Sequence, residues 1–256
     1  MSWSAQKYSA FEAERTRPVR DLVAAIPTPD AQVRRAVDLG CGPGNSTEVL
    51  AARYPQAQVS GMDSSQDMVD AARKRMPGTD FALADIETWR ADAPVDVILA
   101  NASLQWVPDH ATLYPRLLDS LTEGGALAVQ TPDNLDEPAH RVAREVAASG
   151  RWADQVGRVT HPDRHPGEWY FELLYGRAAQ VDVWRTTYTH ALKGGTQAVV
   201  DWFTASALRP FLGPLDEPAR KAFLKDYHDA IDGAYTTLAD GTVLLPFPRL
   251  FVIAVR

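Results

Sequence analysis

The chain has 256 residues, 45% hydrophobic and 23% charged, with a formal net charge of −7. That length and balance suit one α/β domain, with or without a modest cap, and exclude a disordered or fibrous chain. Acids spread along the whole sequence argue against a general affinity for nucleic-acid backbones, and the single cysteine, Cys41, leaves no intrachain disulfide, so a reducing, cytoplasmic setting is expected.

In chain order, apolar β-rich runs alternate with helical spacing. "RRAVDLG" (34–40), "AQVSGMD" (57–63), "DFALAD" (80–85), "VDVILAN" (95–101) and "GALAVQTPD" (125–133) predict five strands. Helical patterns over 47–54, 65–76 and 109–121 separate them, and this alternation predicts a Rossmann-like α/β fold with a mostly parallel sheet covered on both faces. Asp63, Ser64 and Ser65 supply cap oxygens before the second helix and Asp109 before the third; Pro115 falls near that helix's first turn, and Gly124 with Gly125 is expected to end it. Further on, 136–152 reads as a helix and 161–179 as a loop followed by a helix. "VDVWRTTYTHAL" (181–192) and "LFVIAV" (250–255) give the last strands. Between them 193–241 reads as a helical cap inserted in one domain spanning 1–256, and Phe223, Tyr227, Ile231 and Tyr235 share a packing face there. No apolar run reaches the roughly 20 residues of a membrane helix, and "MSWSAQKYSAFEAER" lacks the apolar stretch of a secretion signal.

The informative stretch is "RAVDLGCGPGNST" (35–47), where a strand runs through three glycines into a helix. Ligands of open α/β sheets bind outside the carboxyl ends of the strands, and a glycine turn there lets a cofactor approach the main chain. Gly40, Gly42 and Gly44 give G-x-G-x-G, not the dinucleotide G-x-G-x-x-G, and no lysine follows as in a P-loop, so a pyrophosphate reader is disfavoured.

The stretch closely resembles the first signature of the S-adenosylmethionine-dependent methyltransferases, D-x-G-x-G-x-G. The resemblance implies a glycine turn beside the methionine and ribose (Asp38, Gly40, Cys41, Gly42, Gly44, Asn45), an acid on the ribose hydroxyls (Asp63, with Ser64) and an adenine station (Asp85, Ile86); Asn101, at the end of strand four, is a further donor-site candidate. The superfamily's last strand runs antiparallel, so the insertion ahead of it is expected on the cofactor side. "NASLQWVPDH", "LAVQTPDN", "DWFTASALRPFL" and "PRLFVIAV" narrow the resemblance to the bacterial trans-aconitate methyltransferases, which implies esterification of one carboxylate of trans-aconitate or a related polycarboxylate.

Acceptor groups are expected from Arg17, Arg209 and Arg249, arginines near proline suited to gripping carboxylates, with Gln105 and Trp106 on the rim; Trp202, in the cap, Tyr8 and His190 are weaker candidates. An ionised carboxylate needs no general base, so no catalytic acid or base is assigned. No metal is expected either: Asn101 stands where a metal-assisted transferase has a carboxylate, and His161 and His165 read as exposed loop residues. Transfer to a phenol or amine, a cofactor-binding regulator without turnover and, more distantly, a nicotinamide dehydrogenase remain as rival readings.

Overall fold

A computed structural model describes residues 12–160, 164–204 and 206–256, the side chains of 12–15 excepted. The first elements are α1 (Glu12–Ala24), β1 (Arg35–Leu39), α2 (Asn45–Arg53), β2 (Gln58–Asp63), α3 (Gln66–Arg75), β3 (Asp80–Leu83), β4 (Val95–Asn101), α4 (His110–Asp119) and β5 (Leu121–Pro132). They are followed by α5 (Pro138–Ala148), α6 (Ala153–Val156), α7 (Gly167–Leu174), β6 (Gln180–Leu192), α8 (Gly195–Thr204), α9 (Arg209–Leu212), α10 (Glu217–Ile231), β7 (Thr236–Thr237) and β8 (Val243–Val255). The strand order is β3-β2-β1-β4-β5-β8-β6, with β7 on β8; neighbours among β1 to β5 pair in parallel, and β8 runs antiparallel to β5. The expected α/β architecture is therefore present, including the reversed last strand.

The chain divides into two compact units, one from 12–132, 164–186 and 249–256, the other from 133–160 and 187–248. The second is wider than the expected insertion, since it draws on 133–160 as well as 193–241. β6 and β8 contribute residues to both units.

In the first unit β4 and most of β5 are buried on both faces, as their unbroken apolar runs require. Alternation sends Val37, Leu39, Ile98, Ala100, Leu127 and Val129 to one face, where they pack with Leu113 and Leu117 of α4 and Tyr170 and Leu174 of α7. The opposite face carries Asp38, Leu99, Asn101, Ala128 and Gln130. α1 packs on α2 and on β5.

Three local expectations are corrected. The N-cap of α3 is Ser65, but no side-chain oxygen caps that helix; Asp63 instead takes the Ser65 N–H as part of the turn before it. Asp109 does cap α4, accepting from the Thr112 N–H at 3.0 Å. α4 ends at Asp119 with Ser120 as its C-cap, short of Gly124 and Gly125, and Pro115 lies inside it. The two glycines form an irregularity in β5, between the pairs Val95↔Leu121 and Val97↔Ala126, with Gly124 at φ +77°.

In the second unit α10 packs against α5 and α8. Phe223, Tyr227 and Ile231 are buried, as their spacing predicts, and the Tyr227 hydroxyl donates to Ala139 O at 3.1 Å. Tyr235, half-buried, accepts the Ala139 N–H at 2.8 Å. The aromatic stripe is packing. No helix of the described residues is long and apolar enough to cross a membrane.

Candidate active site at the carboxyl ends of β1 to β4

β1 ends at Leu39 and the chain turns at once. The N–H groups of Gly40 and Cys41 both donate to Met62 O, at 2.8 and 2.9 Å, which pins the turn to the end of β2. Gly42 N–H donates to Asp63 Oδ2 at 3.0 Å, while Asp63 Oδ1 takes the Ser65 N–H at 2.9 Å. The Asp63 carboxylate thus ties the glycine turn to the loop after β2 and keeps lone pairs for a guest. Burial raises its pKa, and the N–H donors work against that rise.

Gly40 has φ +75°, and a Cβ there would lie 2.3 Å from Ser103 Cβ. Ser103 is held by its own hydroxyl, which donates to Leu39 O at 2.6 Å. Gly42, at φ +54°, has nothing within 4 Å of its would-be Cβ. The first glycine answers a close approach of β1 and β4; the second faces open space.

Asp38 lies beneath this turn, wholly buried. Its Oδ2 accepts from the Ser46 and Thr47 hydroxyls at 2.6 and 2.7 Å, fastening the first turn of α2 to β1, and its Oδ1 has no hydrogen-bond partner among the described residues. Burial pushes its pKa up to about 6 from 3.8, the two hydroxyls opposing the rise. The folded chain therefore holds this proton more tightly than the unfolded chain, and Asp38's contribution to stability falls as pH rises from about 4 to 6, then levels. Two pH units correspond to about 3 kcal/mol. Urea unfolding from pH 4 to 8 should show wild type losing about that much relative to Asp38→Asn. A difference that does not vary with pH would count against the assignment.

Outside the turn lies a cavity of about 250 Å³. Gly40 and Gly42 line it after β1, Asp63 and Ser64 at β2, Asp85, Ile86 and Glu87 after β3, and Asn101, Ala102, Ser103, Trp106 and Val107 at β4, with Met68 of α3. Among these lining residues are three carboxylates and no lysine, arginine or histidine. Such a field repels a pyrophosphate and suits a neutral or cationic guest. Asp85 is exposed, and its Oδ1 takes the Glu87 N–H at 2.9 Å. Asn101 is buried, with Oδ1 lacking a partner among the described residues. A bare acceptor of that kind costs about 1–3 kcal/mol until something donates to it.

The segment after β4 is held firmly. Ala102 sits at φ +52°, its N–H donates to Gln130 O at 2.8 Å, and its carbonyl accepts from Gln105 Nε2 at 2.7 Å. His110 Nε2 lies 2.8 Å from Leu104 O, and its Nδ1 lies 2.7 Å from the Tyr170 hydroxyl. A carbonyl can only accept, so Nε2 carries the proton and Nδ1 accepts from Tyr170. Burial lowers the His110 pKa and favours this neutral form. The turn Leu104–Trp106 is thereby fixed, with Trp106 48% exposed at the cavity rim.

The structure brings Gly40, Gly42, Asp63, Ser64, Asp85, Ile86, Asn101 and Trp106 together around one cavity. Asp38, Cys41, Gly44 and Asn45 lie outside its lining and are buried in the turn and the start of α2. Asn45 Nδ2 donates to the Thr16 hydroxyl of α1 at 3.4 Å, and burial drives the Cys41 thiol up, away from a reactive thiolate.

Of the acceptor candidates, Gln105 is buried beside the rim. Arg17 is exposed on α1. Arg249 is buried, contrary to a free surface charge, and its Nη1 donates to Gln130 Oε1 at 3.0 Å. In the second unit Trp202 is buried with its ring on His190, centroids 4.9 Å apart, and Arg209 is half-buried at the start of α9. Tyr8 and His161 lie outside the described residues. His165 is half-buried and stacks on Trp169 at 3.6 Å, correcting the expectation of an exposed loop residue. Sequence reasoning missed Met68, Glu87, Ala102, Ser103 and Val107. The last three flank Gln105 and Trp106 within "NASLQWVPDH", and their neighbourhood was the available signal.

Residues 36–125 match a family model described as a methyltransferase domain. A trans-aconitate 2-methyltransferase from Rhizobium rhizogenes is 49% identical, covering 100% of both chains. One from Methylobacterium radiotolerans is 52% identical, covering 98% of this chain and 97% of its own. Among solved structures, the YcgJ protein from Bacillus subtilis gives a TM-score of 0.58 at 12% identity, covering 94% of this chain and 98% of its own. A Haemonchus contortus phosphoethanolamine N-methyltransferase 2, solved with S-adenosyl-L-methionine, gives 0.54 at 14%, covering 94% and 52%. These last two likenesses concern the fold. About half of the residues are identical to each of the first two relatives, over the whole chain in one and 98% of it in the other, and the chain belongs to the trans-aconitate 2-methyltransferase family.

Proposed function

We propose that the protein transfers the methyl group of S-adenosylmethionine to one carboxylate of trans-aconitate, or of a closely related polycarboxylate, giving a monomethyl ester. The observation that carries this reading is full-length similarity to trans-aconitate 2-methyltransferases. The cavity agrees with it, since it combines a tethered carboxylate, a bare buried carbonyl and no cationic lining side chain. When bound, the donor supplies an electrophilic methyl on a sulfonium. Asp63 would accept from the ribose hydroxyls, Asp85 and Ile86 would take the adenine edge, and Asn101 Oδ1 would accept from the ammonium. Ser64 and the main chain at Gly40 and Gly42 complete the cradle. Asp38, Cys41, Gly44 and Asn45 serve it from below by holding the turn and α2.

The acceptor's carboxylates, with pKa values near 4, are ionised at neutral pH, so no residue is needed as a base. What the chain contributes is placement and water exclusion around an in-line approach of about 3 to 3.5 Å. Trp106 would wall the transfer site and Gln105 contact the acceptor. Arg17, Arg209 and Trp202 keep the acceptor role that their sequence setting proposes, with the arginines on carboxylates that do not react, and Arg249 keeps it at one remove, through the Gln130 amide that its Nη1 meets. We also propose a cytoplasmic location, supported by the lone buried cysteine.

Labelled donor offered with a panel of di- and tricarboxylic acids should place the label in an alkali-labile ester of trans-aconitate. Label on a phenol or amine instead, or tight binding of S-adenosylhomocysteine with no transfer to any acid, would overturn the reading.

A further inference from the structure

Gln130 of β5 is fully buried, and its Oε1 accepts from Arg249 Nη1 at 3.0 Å. A guanidinium only donates, so the atom it meets must be the amide oxygen, and this leaves Nε2 as the other end. Nε2 is buried with no hydrogen-bond partner among the described residues. Gln130 is the register partner of Asn101, so the two side chains stand next to each other on one sheet face, and Asn101 lines the cavity. The bare oxygen of Asn101 and the bare N–H₂ of Gln130 are neighbours that do not bond each other. A guest satisfying Nε2 has to present an acceptor, and beside an arginine an anionic oxygen is the strongest one.

We propose that Gln130 binds a non-reacting carboxylate of the acceptor through its amide N–H, with Arg249 as the positioning residue that fixes the amide; this rests on the polycarboxylate reading above. Strand order supports the acceptor over the donor. From Asp63 on β2 the sheet passes through β1 and β4 to β5, three strand spacings or about 14 Å. Only a few single bonds separate ribose hydroxyls from the transferable methyl, so a group over β5 lies on the acceptor's side of it. The rival is the donor's own carboxylate.

The test compares wild type, Gln130→Ala and Gln130→Glu, the last of which keeps an oxygen for Arg249. Three quantities are measured: initial rates with trans-aconitate, equilibrium binding of trans-aconitate to protein loaded with S-adenosylhomocysteine, and binding of S-adenosylhomocysteine itself. Gln130→Ala should raise the KM for trans-aconitate about tenfold and Gln130→Glu more, as expected for a hydrogen bond to a charged group. The kcat should stay within about threefold, and S-adenosylhomocysteine affinity within about twofold, which also certifies the fold. Arg249→Ala should raise KM similarly, and the double variant Arg249→Ala/Gln130→Ala no further than the larger single loss, because Arg249 acts through Gln130. An unchanged KM in both Gln130 variants overturns the proposal, as does weakened S-adenosylhomocysteine binding at unchanged KM, which would give Gln130 to the donor. A wild type that binds trans-aconitate without methylating it sinks the proposed activity alone, and Gln130 is then judged by the same tenfold loss in binding. A wild type that does not bind it overturns both.

Discussion

Asp63→Ala is expected to weaken S-adenosylhomocysteine binding by about a hundredfold or more while leaving the protein folded. The carboxylate fixes the turn through the Gly42 and Ser65 N–H groups, at 3.0 and 2.9 Å, and would also take two ribose hydroxyls. Hydrogen bonds to a charged acceptor contribute about 1.5–3 kcal/mol each, so losing two from the ligand corresponds to at least a hundredfold. The loosened Gly42 main chain adds to this, because the turn loses its tether on the cavity side. Asp63→Asn keeps the shape but has one accepting oxygen in place of two, and its N–H₂ faces a main-chain donor or a hydroxyl; a loss of about tenfold is expected. Calorimetric titration measures both. Unchanged affinity in the alanine variant would leave Asp63 as a turn-former only and remove the ribose station from the reading.

The cavity proposed to take the donor was legible because its lining is local. Gly40 and Gly42 follow β1, Asp63 closes β2, Asp85 and Ile86 follow β3, and each is found one element end after another in the order the chain is written. The strands were legible for the same reason, as apolar runs bounded by turns, and Tyr227 was read correctly as packing from its four-residue spacing. Long-range geometry was hidden. Asp38 reads as an acid beside a cofactor turn, yet the β1 alternation turns it beneath that turn toward Ser46 and Thr47, eight and nine residues away on α2. Arg249 and Gln130 are 119 residues apart in sequence, and only the antiparallel pairing of β8 with β5 makes them partners. α1 gave no expectation of its own: the pattern of its first turns is polar, and its packing on α2 and β5 is a tertiary property. The irregularity at Gly124 and Gly125 was mistaken for a helix stop because a positive-φ glycine serves either purpose, and only the register with β4 separates them.

The two glycines of the turn should fail in different ways. At Gly40 an alanine meets Ser103 Cβ at 2.3 Å with φ at +75°, and the clashing atom is next to the backbone of a residue anchored to Leu39 O. Nothing flexible can give way, so the carboxyl ends of β1 and β4 must part. Overpacking and left-handed strain together are expected to lower stability by about 3 kcal/mol or more, with donor binding lost as a consequence. Gly42→Ala adds a methyl group to open space at φ +54° beside the cavity. Its folding loss should be near 1 kcal/mol, from backbone strain alone, while donor affinity falls by tenfold or more because the methyl group narrows the cradle. Denaturant titration alongside S-adenosylhomocysteine binding separates the two. Adding Ser103→Gly to Gly40→Ala removes the nearest clashing atom and should recover part of the stability, leaving the strain at positive φ. If Gly40→Ala costs as much in the Ser103→Gly background as in the wild type, the close approach of β1 and β4 is not what demands glycine there, and the demand rests on backbone conformation only.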